Sequence, residues 1–196
     1  IAVLIGSVIG GFIAQKIVMT QMPQMVAIFN GLGGGASALV ASAEFFSQHN
    51  HSPSSFLLTS IILSVFIGTL TLTGSFIAFG KLQGFISGKP IVFPAQQLFN
   101  ALLLVSTFTF GYFILGNPVD INFFYALLIS AAILGITLTI PIGGADMSVV
   151  ISLLNSYSGI AAAATGFVLM NNALIISGAL VGASGLILTQ IMCKGM

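Results

Sequence analysis

The chain has 196 residues, of which 57% are hydrophobic and 4% are charged. Soluble domains carry about a quarter charged residues, so this composition excludes a soluble fold and indicates a protein that lies in a lipid bilayer. The chain has no arginine and a formal net charge of +1. This excludes nucleic acid as a partner, because binding to phosphates needs clustered Lys and Arg. A single cysteine excludes an intrachain disulfide.

Apolar segments long enough to cross a bilayer as helices recur along the whole chain. Strand alternation is absent, and only helices or closed barrels satisfy every backbone group in lipid. We therefore predict an all-α, polytopic transmembrane helix bundle, with helices at about 1–16, 22–47, 55–80, 95–115, 122–140, 147–170 and 173–194. We interpret 1–196 as one transmembrane domain of a longer protein, because the chain opens at Ile1 within an apolar segment.

The positive charges follow the odd-numbered helices of this prediction, at Lys16, Lys81, Lys89 and Lys194. Seven consecutive crossings place all four lysines on one face, which the positive-inside rule predicts to be cytoplasmic. The carboxyl terminus then points into the cytoplasm.

Small and polar residues recur at spacings of three and four, which keeps them on one face of a helix. They are Asn30, Gly34, Ser37, Ala41 and Glu44 on the second helix; Ser60, Ser64, Gly68, Thr71 and Ser75 on the third; Ser148, Ser152, Asn155, Gly159 and Gly166 on the sixth; Gly178, Gly182, Gly185 and Thr189 on the seventh. Asn30 and Asn155 lie at similar depths, so they could face each other and hold a file of water. The alternative is that these stripes, like Gly6 with Gly10 and Gly31 with Gly35, are packing surfaces, and that the amides only join helices.

The other ionisable residues lie near the predicted helix ends. Glu44 is either part of a solvated vestibule or a proton carrier, and His49 and His51 either gather protons at a channel mouth or are simply solvated. Asp146 is expected to cap the sixth helix. Alternatively, Asp146 and Lys194 relay a signal to whatever follows the carboxyl terminus.

Five stretches in chain order resemble one family: MTQMPQMVAIFNG at 19–31, TGSFIAFGKL at 73–82, GGADM at 143–147, LNSYSG at 154–159 and IMCK at 191–194. In these stretches the chain resembles the beta subunit of proton-translocating NAD(P) transhydrogenases. The resemblance runs over essentially the whole chain and is more specific than any short motif.

The resemblance implies an enzyme that moves hydride between NAD(H) and NADP(H) in two water-exposed domains, coupled to proton passage through a membrane domain. This chain would supply part of the membrane domain and would hold no catalytic, cofactor-binding or metal-binding residue. The family pattern implies further helices before residue 1 and an NADP(H)-binding domain after residue 196. It also implies an alpha subunit that contributes membrane helices and the NAD(H)-binding domain, a dimer of the whole enzyme, and a bacterial cytoplasmic (inner) membrane.

Carried over by position, the family's proton path falls at Asn30, Ser75 and Asn155, with Asp146 and Lys194 at the junction to the NADP(H)-binding domain. Several family members have a histidine where this chain has Asn30. A carboxamide cannot take up a proton near neutral pH as imidazole can. The titrating group then belongs to the partner subunit, or water carries the proton and Asn30 only orients it.

Two other functions fit a bundle of this composition. One is a carrier or channel for a small solute or ion, with its site among the glycine-rich helices. The other is a structural anchor that holds soluble subunits at the membrane.

Overall fold

The computed structural model describes residues 1–48, 53–117 and 120–195. Its α-helices are α1 (Ala2–Lys16), α2 (Met22–Gln48), α3 (Ser55–Leu82), α4 (Gln96–Gly116), α5 (Ile121–Thr139), α6 (Met147–Val168) and α7 (Asn172–Gly195). Within these ranges there is no strand, so the all-α prediction is confirmed. His49 and His51, either candidates for proton entry or simply solvated residues, lie outside the described residues.

Six of these helices, α2 to α7, are long and apolar enough to cross a membrane, and α1 is a shorter apolar helix. Their ends lie within two residues of the predicted ones, and at two of these ends a polar side chain caps the helix. The Ser54 hydroxyl accepts a hydrogen bond from the Leu57 amide at the start of α3. The Asp120 carboxylate does the same for the Asn122 amide at the start of α5.

The centre of the bundle is α3, which packs against α2, α5 and α6. Contacts such as Gln24 with Leu82 make α2 antiparallel to α3. The pair formed by Ser64 with Thr165 makes α6 antiparallel to α3 as well. The helices α4 and α7 lie at the periphery, and no side chain described for α1 is buried. The helices α2, α5 and α6 therefore surround α3.

Glycine brings the backbones of neighbouring helices together at several places, two of which involve the helices of the interior. A Cβ atom added to Gly68 of α3 would lie 2.5 Å from the Gly34 carbonyl oxygen of α2, and one added to Gly159 of α6 would lie 2.5 Å from the Gly182 amide nitrogen of α7. Helix packing through small residues is thus confirmed at these contacts. The pair Gly6 and Gly10 meets no described atom within 4 Å.

Two apolar clusters lie at the two ends of the bundle. At the end away from the lysines, Phe45 of α2 stacks on Phe124 of α5 with ring centroids 4.2 Å apart. At the lysine end, Met147, Leu154 and neighbouring side chains of α6 pack against α3 and α5. Most of the polar contacts that join α2, α3 and α6 lie between these two clusters.

Candidate functional site

The amide of Asn30 joins three helices. Its Nδ2 donates a hydrogen bond to the Ser75 Oγ of α3 at 3.0 Å, and its Oδ1 accepts one from the Ser158 Oγ of α6 at 2.6 Å. Asn30 is 8% exposed and Ser75 is fully buried. Two of the three predicted path residues are therefore in direct contact. We name this group the Asn30 triad.

The third member of the triad, Ser158, was not selected from the sequence. It lies within the LNSYSG stretch and one helical turn after Asn155. Its spacing from Asn155 was a usable signal, because residues three apart lie on neighbouring parts of one helix face.

Asn155 itself is exposed on the side of the bundle and makes no hydrogen bond to Asn30. The two carboxamides therefore do not contact each other as expected. Both side chains line one open cavity of about 350 Å³, together with Ser158 and Gly33. The prediction that Asn155 shares one face of α6 with Ser152 and Gly159 is wrong, since those two residues are buried and Asn155 is exposed.

A second polar cluster joins the same three helices farther from the lysine end. The hydroxyls of Ser64 on α3 and Thr165 on α6 lie 2.6 Å apart, and the Ser64 hydroxyl is also 3.2 Å from the Ser37 carbonyl of α2. Thr165 also donates to the Ala161 carbonyl of its own helix. We name this group the Ser64 cluster.

Glu44 lies near the far end of α2 and is half-buried. Its Oε1 accepts a hydrogen bond from Gln48 Nε2 at 2.9 Å. The carboxylate therefore lies near the end of the bundle that is opposite the lysines, and the structure leaves both of its predicted roles open.

Asp146 and Lys194 lie at the same end of the bundle, where α6 begins and α7 ends, and both are exposed. Asp146 occupies the N-cap position of α6 but accepts no hydrogen bond from that helix, so the predicted side-chain cap is wrong. A cavity of about 430 Å³ lies between the two helices, lined by Asp146, Thr189 and Cys193. Within the described ranges Asp146 and Lys194 form no ion pair.

Lys81 lies in the last turn of α3, and its burial was not predicted from the sequence. Its side chain is 4% exposed, and its ammonium donates to the carbonyl oxygens of Ile140 and Ile142, just after α5. The negative end of a helix dipole and free carbonyls suit a cation at this position. Lys81 therefore joins α3 to the end of α5, and three of the four lysines remain exposed.

Among the described residues, no three His, Cys, Asp or Glu side chains come together as metal ligands would. The candidate site consists of amide and hydroxyl groups.

Comparison with known proteins gives a consistent result. A family model described as the NAD(P) transhydrogenase beta subunit matches residues 1–196. Two curated relatives, both named NAD(P) transhydrogenase subunit beta and both from Rhodospirillum rubrum, are 48% identical over 202 aligned residues. The alignments cover 100% of this chain and 43% of each relative, so the chain spans less than half the length of these proteins.

Proposed function

We propose that this chain, which belongs to the family of NAD(P) transhydrogenase beta subunits, forms part of a membrane domain that conducts protons. Conduction would be coupled to hydride transfer between NAD(H) and NADP(H), which bind in water-exposed domains outside residues 1–196. The observation that carries this proposal is the Asn30 triad, a buried polar contact between three apolar helices.

The hydrogen bonds of the triad define what it can do. The Ser75 Oγ accepts from Asn30, so its own hydroxyl proton remains available to a further acceptor. The Asn30 Oδ1 accepts from Ser158, so the amide is held in one orientation. The triad can therefore orient a chain of water molecules. It cannot store a proton near neutral pH, because none of its three side chains titrates there.

The open cavity beside Asn155 supports a contribution from a partner. A carboxamide exposed on the side of a membrane helix is costly in hydrocarbon, so it needs water or another polar group. We propose that the membrane helices of the alpha subunit cover this cavity and bring the titrating group.

The cytoplasmic end of the bundle is assigned from charge. Lys16, Lys89 and Lys194 are exposed, and by the positive-inside rule we propose that their end faces the cytoplasm. The membrane would be a bacterial inner membrane. Asp146 lies at the lysine end of α6, so we propose that Asp146 and Lys194 contact the NADP(H)-binding domain. This contact would couple nucleotide state to proton passage and would operate in a dimer of the whole enzyme.

The test uses the complete alpha and beta subunits in sealed vesicles, with proton uptake measured while NADPH reduces NAD⁺. We expect Ser75→Ala and Asn30→Ala to lower proton uptake at least about tenfold, since each removes a member of an ordered proton route. The matched control is Ser106→Ala on α4, where the hydroxyl donates only to the Leu103 carbonyl of its own helix.

Unchanged proton uptake in both variants of the triad would contradict the proposal. Equal loss in the Ser106 control would show that any serine lost from this bundle impairs it, which would also contradict a specific route.

A further inference from the structure

The Asn30 triad and the Ser64 cluster involve the same three helices but are separated along the bundle. On α2, Ser37, whose carbonyl belongs to the Ser64 cluster, lies seven positions after Asn30. At about 1.5 Å per residue, this is a gap of roughly 10 Å. A polar route that uses both groups must cross this gap.

The gap contains a backbone contact between α2 and α3. A Cβ atom on Gly34 would lie 2.9 Å from the Gly68 carbonyl oxygen, and one on Gly68 would lie 2.5 Å from the Gly34 carbonyl oxygen. The two backbones therefore touch, and Gly34 and Gly68 themselves supply no side chain there.

Thr71 supplies a hydroxyl at this crossing. It is fully buried, and its Cβ lies 2.9 Å from the position of a Cβ on Gly34. It precedes Ser75 by one helical turn on the same face of α3, at a separation of about 6 Å along the axis.

The Thr71 hydroxyl has no hydrogen-bond partner. Helical threonines usually donate to a carbonyl one turn earlier, and among the described residues eight others do so: Thr59, Thr73, Thr107, Thr109, Thr137, Thr139, Thr165 and Thr189. A buried hydroxyl without a partner costs free energy, because it has lost its hydrogen bonds to water. Such a cost in a packed interior calls for a polar partner, and water is the smallest.

We infer that the Thr71 hydroxyl carries the polar route across the contact of α2 with α3, from the Asn30 triad toward the Ser64 cluster, by binding water next to Ser75. This inference rests on the proposed proton function. Two hydrogen bonds of about 2.8 Å through one water span the distance between the Ser75 and Thr71 levels.

The step balances without any further reactant. A protonated water on the Ser75 side gives one proton to Thr71 Oγ1, and the original hydroxyl proton leaves to a water on the Ser64 side. One O–H bond forms on Oγ1 and one breaks, and rotation about the Cβ–Oγ1 bond restores the starting state.

The experiment compares Thr71→Val with Thr71→Ser in the complete complex in sealed vesicles. Valine keeps the shape and removes the hydroxyl, whereas serine keeps the hydroxyl and removes the methyl group. We expect valine to lower proton uptake at least about tenfold and serine to retain most of it. Thr139→Val is the matched control, because Thr139 is also buried and its hydroxyl donates to Gly135 of its own helix.

The outcomes separate this inference from the proposed function. Normal proton uptake by Thr71→Val, with Ser75→Ala impaired, would overturn the role of Thr71 and leave the triad in place. Equal impairment by valine and serine would assign Thr71 to packing and overturn the inference. Normal uptake by Ser75→Ala and Asn30→Ala would instead remove the proposed function itself. If Thr71→Val fails to assemble, Thr71→Ala replaces it with the same expectation.

Discussion

One helix, α6, forms two interfaces that look alike in sequence and differ in their chemistry. Toward α7, its hydroxyls donate to backbone carbonyls, Ser156 to Gly182 and Ser152 to Gly185, and Ser152 also accepts a hydrogen bond from the Thr189 hydroxyl of α7. Toward α2 and α3, Ser158 and Thr165 bond to other side chains.

The difference shows that hydroxyls can either hold two helices together or remain able to switch hydrogen-bond partners. A hydroxyl that donates to a carbonyl across a glycine contact has no proton left for another acceptor. Moving the two backbones apart would break this hydrogen bond and the packing around it. Hydroxyls that bond to each other can reverse donor and acceptor. Such a pair, Ser64 with Thr165, lies on the same helices as the Asn30 triad, so we assign the interface of α6 with α2 and α3 to the proposed route. Thr189 and Ser152 form a similar pair toward α7, but there the backbones touch at Gly159 and Gly178, so we assign that interface to packing.

The largest expected effect is on stability, from Gly159→Ala. The new Cβ would meet the Gly182 amide nitrogen at 2.5 Å and the Gly178 carbonyl oxygen at 2.8 Å, and both are backbone atoms. Overpacking of this kind costs about 1 to 3 kcal/mol, which thermal unfolding of the purified complex in detergent would measure. Gly6→Ala is the control, since nothing lies within 4 Å of its added Cβ. An unchanged midpoint for Gly159→Ala would mean that the two helices separate easily.

The sharpest comparison uses two serines of α6 that are two residues apart. We expect Ser158→Ala to lower proton uptake at least about tenfold, because it releases the Asn30 amide. Ser156→Ala should leave uptake per folded enzyme unchanged and lower stability by about 1 kcal/mol, because it removes one hydrogen bond to Gly182. Proton uptake and unfolding midpoints, measured on both variants, check the pair. The reverse pattern would exchange the roles of the two interfaces.

A smaller effect is expected from Asn155→Leu. Asn155 is exposed and makes no hydrogen bond to another described residue, so stability should change by less than about 0.5 kcal/mol. Proton uptake should fall, because the cavity shared with Asn30 loses a polar group. Loss of stability without loss of uptake would mean that the amide serves only to hold a neighbouring helix.

The smallest expected effect is the coupling between Ser64 and Thr165. A double-mutant cycle with Ser64→Ala and Thr165→Val should give about 0.6 kcal/mol, the typical value for hydrogen bonds between membrane helices. Unfolding of the two single variants and the double variant measures it. Coupling near zero would show that the 2.6 Å contact contributes no stability.

The sequence predicted the helices well because hydropathy and helix-ending residues determine them locally. It also predicted the interior face of α2, where Asn30, Gly34, Ser37 and Ala41 are all buried. Spacing worked there because the helix presents one continuous face to α3 and α6.

The same spacing failed on α6 because this helix has two buried faces. Ser152 and Gly159 belong to the contact with α7, whereas Ser158 belongs to the Asn30 triad. A list of residues at spacings of three and four cannot say which neighbour each of them meets. The burial of Lys81 was missed for a related reason: its carbonyl partners at Ile140 and Ile142 are about 60 residues away in the chain and carry no side-chain signal.

The burial of Lys81 against the end of α5 gives this residue two roles at different times. While the helices are being inserted, its charge counts with the other lysines toward the orientation of the chain. Once α5 has docked, the amine is enclosed and no longer presented to water or lipid headgroups. We therefore expect an amine-reactive reagent that reaches the lysine end of the bundle to label Lys16, Lys89 and Lys194. Lys81 should stay unmodified until the bundle is unfolded.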